Sequence, residues 1–166
     1  MNTDLVFHEL FTKHVLSAGH PESPKRLHAA LDAIKKTEVM DSGKVNMLQP
    51  RAAHPDEVKS VHSARYLEEV KRRSESGGGY FTLDTSVNEY TFEAAMRAAG
   101  GGIQTVDRIL DGDVNNSFVL CRPPGHHAEY DRALGFCFIN NIAVAARHLV
   151  SQRGLHRILI VDYDAH

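Results

Sequence analysis

Apolar residues along this chain alternate between strand-like runs and helical stripes. Asp4-Leu-Val-Phe-His8 is a short apolar run that reads as a first strand, and Lys44 to Leu48 reads as a second. Between them, Ser23-Pro24 predicts an N-cap followed by proline in the first helical turn. Leu27, Ala30, Leu31 and Ile34 then recur at i, i+3, i+4 and i+7, which places them on one face. A helix is predicted over 63–73, stopped by Ser76-Gly77-Gly78-Gly79. The strongest helical pattern covers 89–110, with Phe92, Met96, Ala99, Ile103, Val106 and Leu110 in phase. Gly100-Gly101-Gly102 lies inside it, and each glycine costs ~1 kcal/mol against alanine in a helix interior. That cost predicts a very close neighbour.

The last third of the chain reads as strand, helix, strand. Ser117 to Cys121 is an apolar run ended by Pro123-Pro124-Gly125, and Ile142, Ala145, Ala146 and Leu149 form a helical face. Ile158-Leu-Ile-Val161 is wholly apolar. Such a βαβ unit has a right-handed crossover, and ligands bind beyond the carboxyl ends of its strands. His126-His127 follow the first strand, and Asp162, Asp164 and His166 follow the second. Neighbouring strands would bring both clusters to one cleft.

Composition narrows the class. The chain has 166 residues, 42% hydrophobic and 24% charged, which suits one globular domain or part of one. Its formal net charge of -2 argues against a dedicated nucleic-acid surface. Two cysteines, Cys121 and Cys137, exclude a disulfide scaffold and a cysteine-built zinc site. The N-terminal residues carry no signal-peptide pattern, and no run of 18 apolar residues exists, so a cytoplasmic protein without a membrane span is expected. Eleven histidines are an unusual number.

Asp162-Tyr-Asp164-Ala-His166 sets two carboxylates and an imidazole at alternate positions, which share a face in an extended segment. Such donors suit Zn²⁺, with Fe²⁺ or Mn²⁺ as alternatives. The bland alternative is an acidic surface turn. His126-His127 can offer one ring held by a carboxylate and one free for proton transfer, or can be two solvated loop histidines. Phe136 and Phe138 read by default as core aromatics, and Cys137 and Cys121 as small buried residues. His28, His54, His148 and His156 read as surface or capping residues, while His20 and His62 have no clear place.

Taken together, Arg122-Pro-Pro-Gly-His-His-Ala-Glu129, Gly135-Phe-Cys-Phe-Ile-Asn-Asn-Ile-Ala-Val-Ala-Ala-Arg147 and Ile158-Leu-Ile-Val-Asp-Tyr-Asp-Ala-His166 resemble the histone deacetylase family. His20-Pro-Glu-Ser-Pro-Lys-Arg26, Val61 to Leu67 and Asp84-Thr85 match it in order, so the resemblance covers essentially the whole chain. The first motif looks like the class II branch, together with bacterial and archaeal deacetylase-like amidohydrolases. The resemblance implies an α/β, three-layer arginase/deacetylase-type fold with a central parallel sheet, ending here after the strand that closes at Val161. It implies zinc-dependent hydrolysis of acetyl-lysine or acetylpolyamine-like amides. Asp164 and His166 match two metal ligands. Asp162 matches the carboxylate that orients His126, and Asp162, Asp164 and His166 would hold a structural potassium ion. His127 matches the general base and acid, Gly135 and Phe136 the wall of the substrate tunnel, and Asp84 the loop aspartate that holds substrate backbone.

Three family elements have no counterpart: a third metal ligand, a carbonyl-polarising tyrosine and the carboxylate partner of the second histidine. Residues 1–166 are therefore expected to be the N-terminal portion of a single catalytic domain, inactive alone. A non-catalytic fragment that pairs with itself or with a complementing C-terminal half stays open, as does another metal hydrolase of the same superfamily.

Overall fold

Three short parallel strands in the order β2-β1-β5 organise the computed structural model, which describes residues 1–17 and 19–165. Strand β1 (Thr3–Val6) is central and pairs with β2 (Val45–Leu48) on one side and β5 (Asn116–Val119) on the other. Thr3 faces Val45 and Asn116, and Val6 faces Leu48 and Val119. Leu5 and Val6 are buried while Met47 and Phe118, on the flanking strands, are about half exposed. The chain thus leaves β1 in both directions across the sheet, and the carboxyl ends of β1 and β5 open onto the same side.

Helices α1 (Leu10–Lys13) and α2 (Lys25–Lys35) connect β1 to β2. Helices α3 (Pro55–Lys59) and α4 (Ala64–Glu75), the short pair β3 (Gly79–Tyr80) and β4 (Ser86–Val87), and α5 (Thr91–Leu110) lead to β5, followed by α6 (Asn141–Ser151). Helix α5 is buried on two sides. Ala95, Met96, Ala99 and Ile103 join a core with Val58, Tyr66, Val70, Phe138 and Val144, and Ala94 and Ala98 join a second with Phe7, Phe11, Leu27 and Leu31. A Cβ on Gly100 would lie 2.2 Å from the carbonyl oxygen of Arg51 and 2.6 Å from the amide nitrogen of Ala53. The close neighbour implied by the glycine triplet is the backbone before α3.

Helix ends follow local chemistry. Ser63 caps α4 by accepting from the Tyr66 amide, and His54 caps α3 in a reciprocal box with Glu57. Helix α2 starts at Lys25, and Pro24 rather than Ser23 holds the cap position, without a side-chain bond. On α6 the buried residues are Val144 and Ala145, whereas Ile142 of the expected face is 54% exposed. His148 is partly buried rather than exposed: its Nε2 sits 2.8 Å from Asp107 Oδ1.

One expected strand is absent. Residues 158–161 carry no ladder pairing among the described residues, and Leu159 and Val161 are 86% and 70% exposed. A strand exists only where a neighbour supplies its N–H and C=O partners, and here β5 pairs on one edge alone. The segment is held instead at its ends, by the Leu155 amide donating to Leu149 O and by Asp162 on His126. Among the described residues no helix is long and apolar enough to cross a membrane.

Candidate functional site

The loop that leaves β5 is fixed before it reaches the histidines. Arg122, 2% exposed, donates through Nε and Nη2 to both carboxylate oxygens of Glu22 at 2.5 and 2.6 Å. Its Nη1 donates to the carbonyls of Phe11 and His14 at 3.1 and 2.8 Å. The Arg122-Pro123 peptide is cis. At Gly125 a Cβ would lie 2.6 Å from Ile139 O and 2.7 Å from the Asn141 amide nitrogen, so the loop crosses the start of α6 in backbone-to-backbone contact.

His126 and His127 follow, their ring centroids 4.2 Å apart and inclined by 55°. His126 Nδ1 lies 2.8 Å from Asp162 Oδ2, and its Nε2 is 3.9 Å from Asp164 Oδ2, beyond hydrogen-bond range. The other oxygen of Asp162 accepts from the Asp164 amide at 3.0 Å. That amide first, and His126 second, hold the Asp162 carboxyl below the usual carboxylate range. A charged Asp162 can only accept, so the His126 ring is fixed as an Nδ1–H donor to it.

Gly135 and Phe136 form the tip of a tight turn. The Cys137 amide donates to Leu134 O at 2.8 Å, and the Leu134 amide donates back at 3.3 Å. Both tip residues have positive φ, +52° and +67°, the signature of a type I′ turn, in which Gly135 is at ease and Phe136 is not. A Cβ on Gly135 would lie 2.4 Å from His127 Cδ2, so the bare backbone is what lets the turn lie on that ring. Phe136 is held out of its preferred conformation by two contacts. Its amide donates to Thr85 Oγ1 at 3.2 Å, and its ring meets His20 edge-on at 4.6 Å.

Asp84 joins the same rim. It accepts from Thr82 Oγ1 at 2.6 Å and Thr85 Oγ1 at 3.0 Å, and these bonds hold its carboxyl below the ordinary range. Thr85 therefore links Asp84 to Phe136. Cys137 is buried, donates to Gly135 O at 3.3 Å, and its thiol is pushed up to about 12, mainly by burial. Burial does the same to Cys121. Neither is a nucleophile at neutral pH.

The structure brings His126, His127, Asp162, Gly135 and Phe136 together, with Asp84 on the Phe136 side. Asp164 lies at the far side of His126, and His166 lies outside the described residues. Among the described residues no three His, Cys, Asp or Glu side chains are placed to hold a metal ion. Two cavities, of about 450 and 350 Å³, lie elsewhere, between α3, α4 and α5 and beside the 76–79 glycine loop. Neither is lined by these residues.

The expected site lacked several supporting residues. Glu22, Thr85, His62 and Asn140 act through bonds to residues 51 to 100 positions away or to loop carbonyls. Only Asn140 carried a readable signal, as an N-cap ahead of an apolar helical face; it accepts from the Ala143 amide at 3.0 Å.

The histone deacetylase domain matches residues 20–166. A probable deacetylase of Archaeoglobus fulgidus is 37% identical over 166 residues, which is 100% of this chain and 46% of that protein. Polyamine deacetylase HDAC10 of Homo sapiens is 40% identical over 177 residues, covering 100% of this chain and 26% of its own length. A histone deacetylase-like amidohydrolase of Pseudomonas aeruginosa is 39% identical over 156 residues, or 90% and 39%. Among solved structures, the HD domain of HDA15 superposes with a TM-score of 0.83 at 37% identity, covering 92% of this chain and 43% of the other. The chain thus spans less than half the length of these relatives.

Proposed function

The chain belongs to the histone deacetylase family and has its arginase/deacetylase-type fold, and from that premise we propose that the protein hydrolyses acetyl-lysine or N-acetylpolyamine-like amides. The observation that carries this reading is the Asp162–His126–His127 arrangement, with the Gly135 backbone laid against the second ring. Asp162 holds His126 in one tautomer and orientation. His127 beside it accepts a proton from the attacking water and delivers it to the leaving amine, so that amide and water become acetate and amine. A positioned base of this kind supplies about 10²–10⁴-fold. Gly135 and Phe136 exclude water from one side of the acyl chain, and Asp84 fixes substrate backbone at the rim.

The family implies a zinc ion, which would supply a water activated at neutral pH. Asp164 and His166 are the residues of this chain proposed to hold it, with a potassium ion beside Asp162, Asp164 and His166. Asp164 and His166 alone are fewer than the roughly three protein ligands of a catalytic zinc site, and among the described residues no group of three His, Cys, Asp or Glu side chains could hold a metal ion. We read residues 1–166 as the N-terminal portion of one catalytic domain, in keeping with the 26–46% of the relatives that they cover. The same shortage of ligands favours a second reading, a binding module that pairs with a C-terminal half.

Acetate release from acetyl-lysine peptides and N-acetylpolyamines tests this. Protein of the relatives' length that carries this chain is expected to turn over with zinc, and its His127→Ala variant to lose at least a hundredfold. Parental turnover by that variant, or none by the parent, overturns the deacetylase reading. Turnover by the 166-residue chain alone overturns the view that it is incomplete.

A further inference from the structure

We propose that His62 is a positioning residue for the tandem histidines, acting through Asn140 and the carbonyl of Glu129. The inference rests on the reading of His126 and His127 as the working pair. His62 is 0% exposed and sits in the turn between α3 and α4, its amide bonded to Val58 O. Its Nδ1 is 2.7 Å from Glu129 O, and its Nε2 accepts from the Asn140 amide at 2.9 Å.

These partners define the ring's state. A carbonyl can only accept and an amide N–H can only donate, so both bonds exist together only in the neutral ring with its proton on Nδ1. A protonated ring would set N–H against the Asn140 N–H. Burial, which lowers the pKa of His62, keeps the ring in the required form. A planar imidazole that uses both nitrogens fixes two points of main chain at a set spacing, which an apolar filler of that volume would not do.

The two points belong to two different segments of the site. Glu129 is two residues beyond His127, and Asn140 is where the 135–138 turn region enters α6. Asn140 then reaches back, its Nδ2 lying 3.4 Å from His126 O and 3.3 Å from Ala128 O, while its Oδ1 caps α6. Adjacent residues repeat the connection: the Ser63 amide donates to Tyr130 O at 2.9 Å, and Tyr66 Oη donates to Phe138 O at 2.7 Å. The α3–α4 corner thus grips the histidine loop and the tunnel turn at once. His62 is the member that touches both, without approaching a reacting atom.

The test uses imidazole ¹⁵N–¹H spectra and amide exchange on the chain with His62→Ala, His62→Gln and Asn140→Asp. His62→Ala and Asn140→Asp are expected to shift the His126 and His127 ring signals. They should also speed exchange of the Ala128 amide, which bonds Gly125 O within the histidine loop, roughly tenfold, as expected if that loop opens more easily. Glutamine offers one donor and one acceptor, so His62→Gln is expected to restore most of the parental spectrum. Asn140→Asp keeps the α6 cap and answers the question if His62→Ala does not fold. Parental ring signals and exchange in a folded His62→Ala or Asn140→Asp chain overturn the proposal. So does a His62→Gln chain that behaves like His62→Ala, since that would mark a packing role. Acetate release is measured separately: an inactive parent sinks the deacetylase reading and leaves these shifts unaffected.

Discussion

Asp162 and His126, 36 positions apart in sequence, meet at 2.8 Å between Oδ2 and Nδ1. The larger hold on the Asp162 carboxyl is the Asp164 amide, and His126 comes second. Replacing His126 with alanine is therefore expected to raise the Asp162 pKa only part of the way to an ordinary aspartate value. The group's charged form is favoured in the folded chain, so its contribution to stability exists above the unfolded pKa, about 3.9, and is lost as pH falls through the lower folded value. Carboxyl ¹³C titration of both chains checks this. An Asp162 pKa unmoved by His126→Ala would remove the histidine from the account.

Gly135→Ala is expected to displace His127. The new Cβ would start 2.4 Å from Cδ2 and 2.8 Å from Cγ, on backbone at φ +52° where alanine is itself strained. Strain and displacement together should cost about 1–3 kcal/mol. Denaturant unfolding gives the cost, and the His127 Cδ2–H resonance reports the ring. An unshifted resonance would mean that the turn, rather than the ring, gives way.

The sequence pattern anticipated β1, α4 and α5 because each buries one stripe or one run against a neighbour near at hand, and β2 and β5 because their short apolar runs pair with β1. It misread 158–161, since an apolar composition reports a preference for burial while a strand also needs a bonded neighbour. The histidine pair and its acidic cluster stood out as candidates because their residue types are rare in that company. Glu22, Thr85 and His62 were not, because their partners stand 100, 51 and 78 residues away. No local periodicity encodes such a pairing.

Arg122→Ala should be the most damaging change near the site that touches no reacting group. It leaves the Glu22 carboxylate buried without its fork and strands the carbonyls of Phe11 and His14. Breaking a buried pair from one side costs about 3–5 kcal/mol. Replacing both partners, as Arg122→Met with Glu22→Leu, should recover part of that. Thermal melts of the three chains decide the matter, and a double variant no better than Arg122→Ala would contradict the uncompensated-charge explanation.

His14 makes the fold acid-sensitive. It is fully buried with Nδ1 2.9 Å from Thr91 Oγ1, and burial, helped by Arg122, lowers its pKa to about 3. Its folded value lies below the unfolded value of about 6.5, so the unfolded chain takes up the proton first. The stability this provides is complete above about pH 6.5 and is lost as pH falls towards 3, by at most ~1.4 kcal/mol per pH unit. Denaturant midpoints between pH 7 and 4 should fall less steeply for His14→Gln than for the parent. Parallel curves would assign the loss elsewhere.

Gly100 and Gly102 are two residues apart on α5 and should respond to alanine with opposite sign. At Gly100 the added carbon would meet three backbone atoms of the 51–53 segment, Arg51 O at 2.2 Å, Ala53 N at 2.6 Å and Ala52 C at 2.8 Å. Backbone cannot rotate aside, and the Ala53 amide is itself tied to Met96 O at 2.8 Å. Overpacking of about 1–3 kcal/mol or more then exceeds the ~1 kcal/mol that alanine gains in helix propensity. At Gly102 the nearest atoms, Ala145 Cβ and Asn141 O, stand at 3.5 Å, ordinary contact distance. There the propensity gain is unopposed, so Gly102→Ala should stabilise by up to ~1 kcal/mol. Equilibrium unfolding of the two variants is the measurement. Two changes of the same sign would show that helix propensity or packing alone governs this stripe.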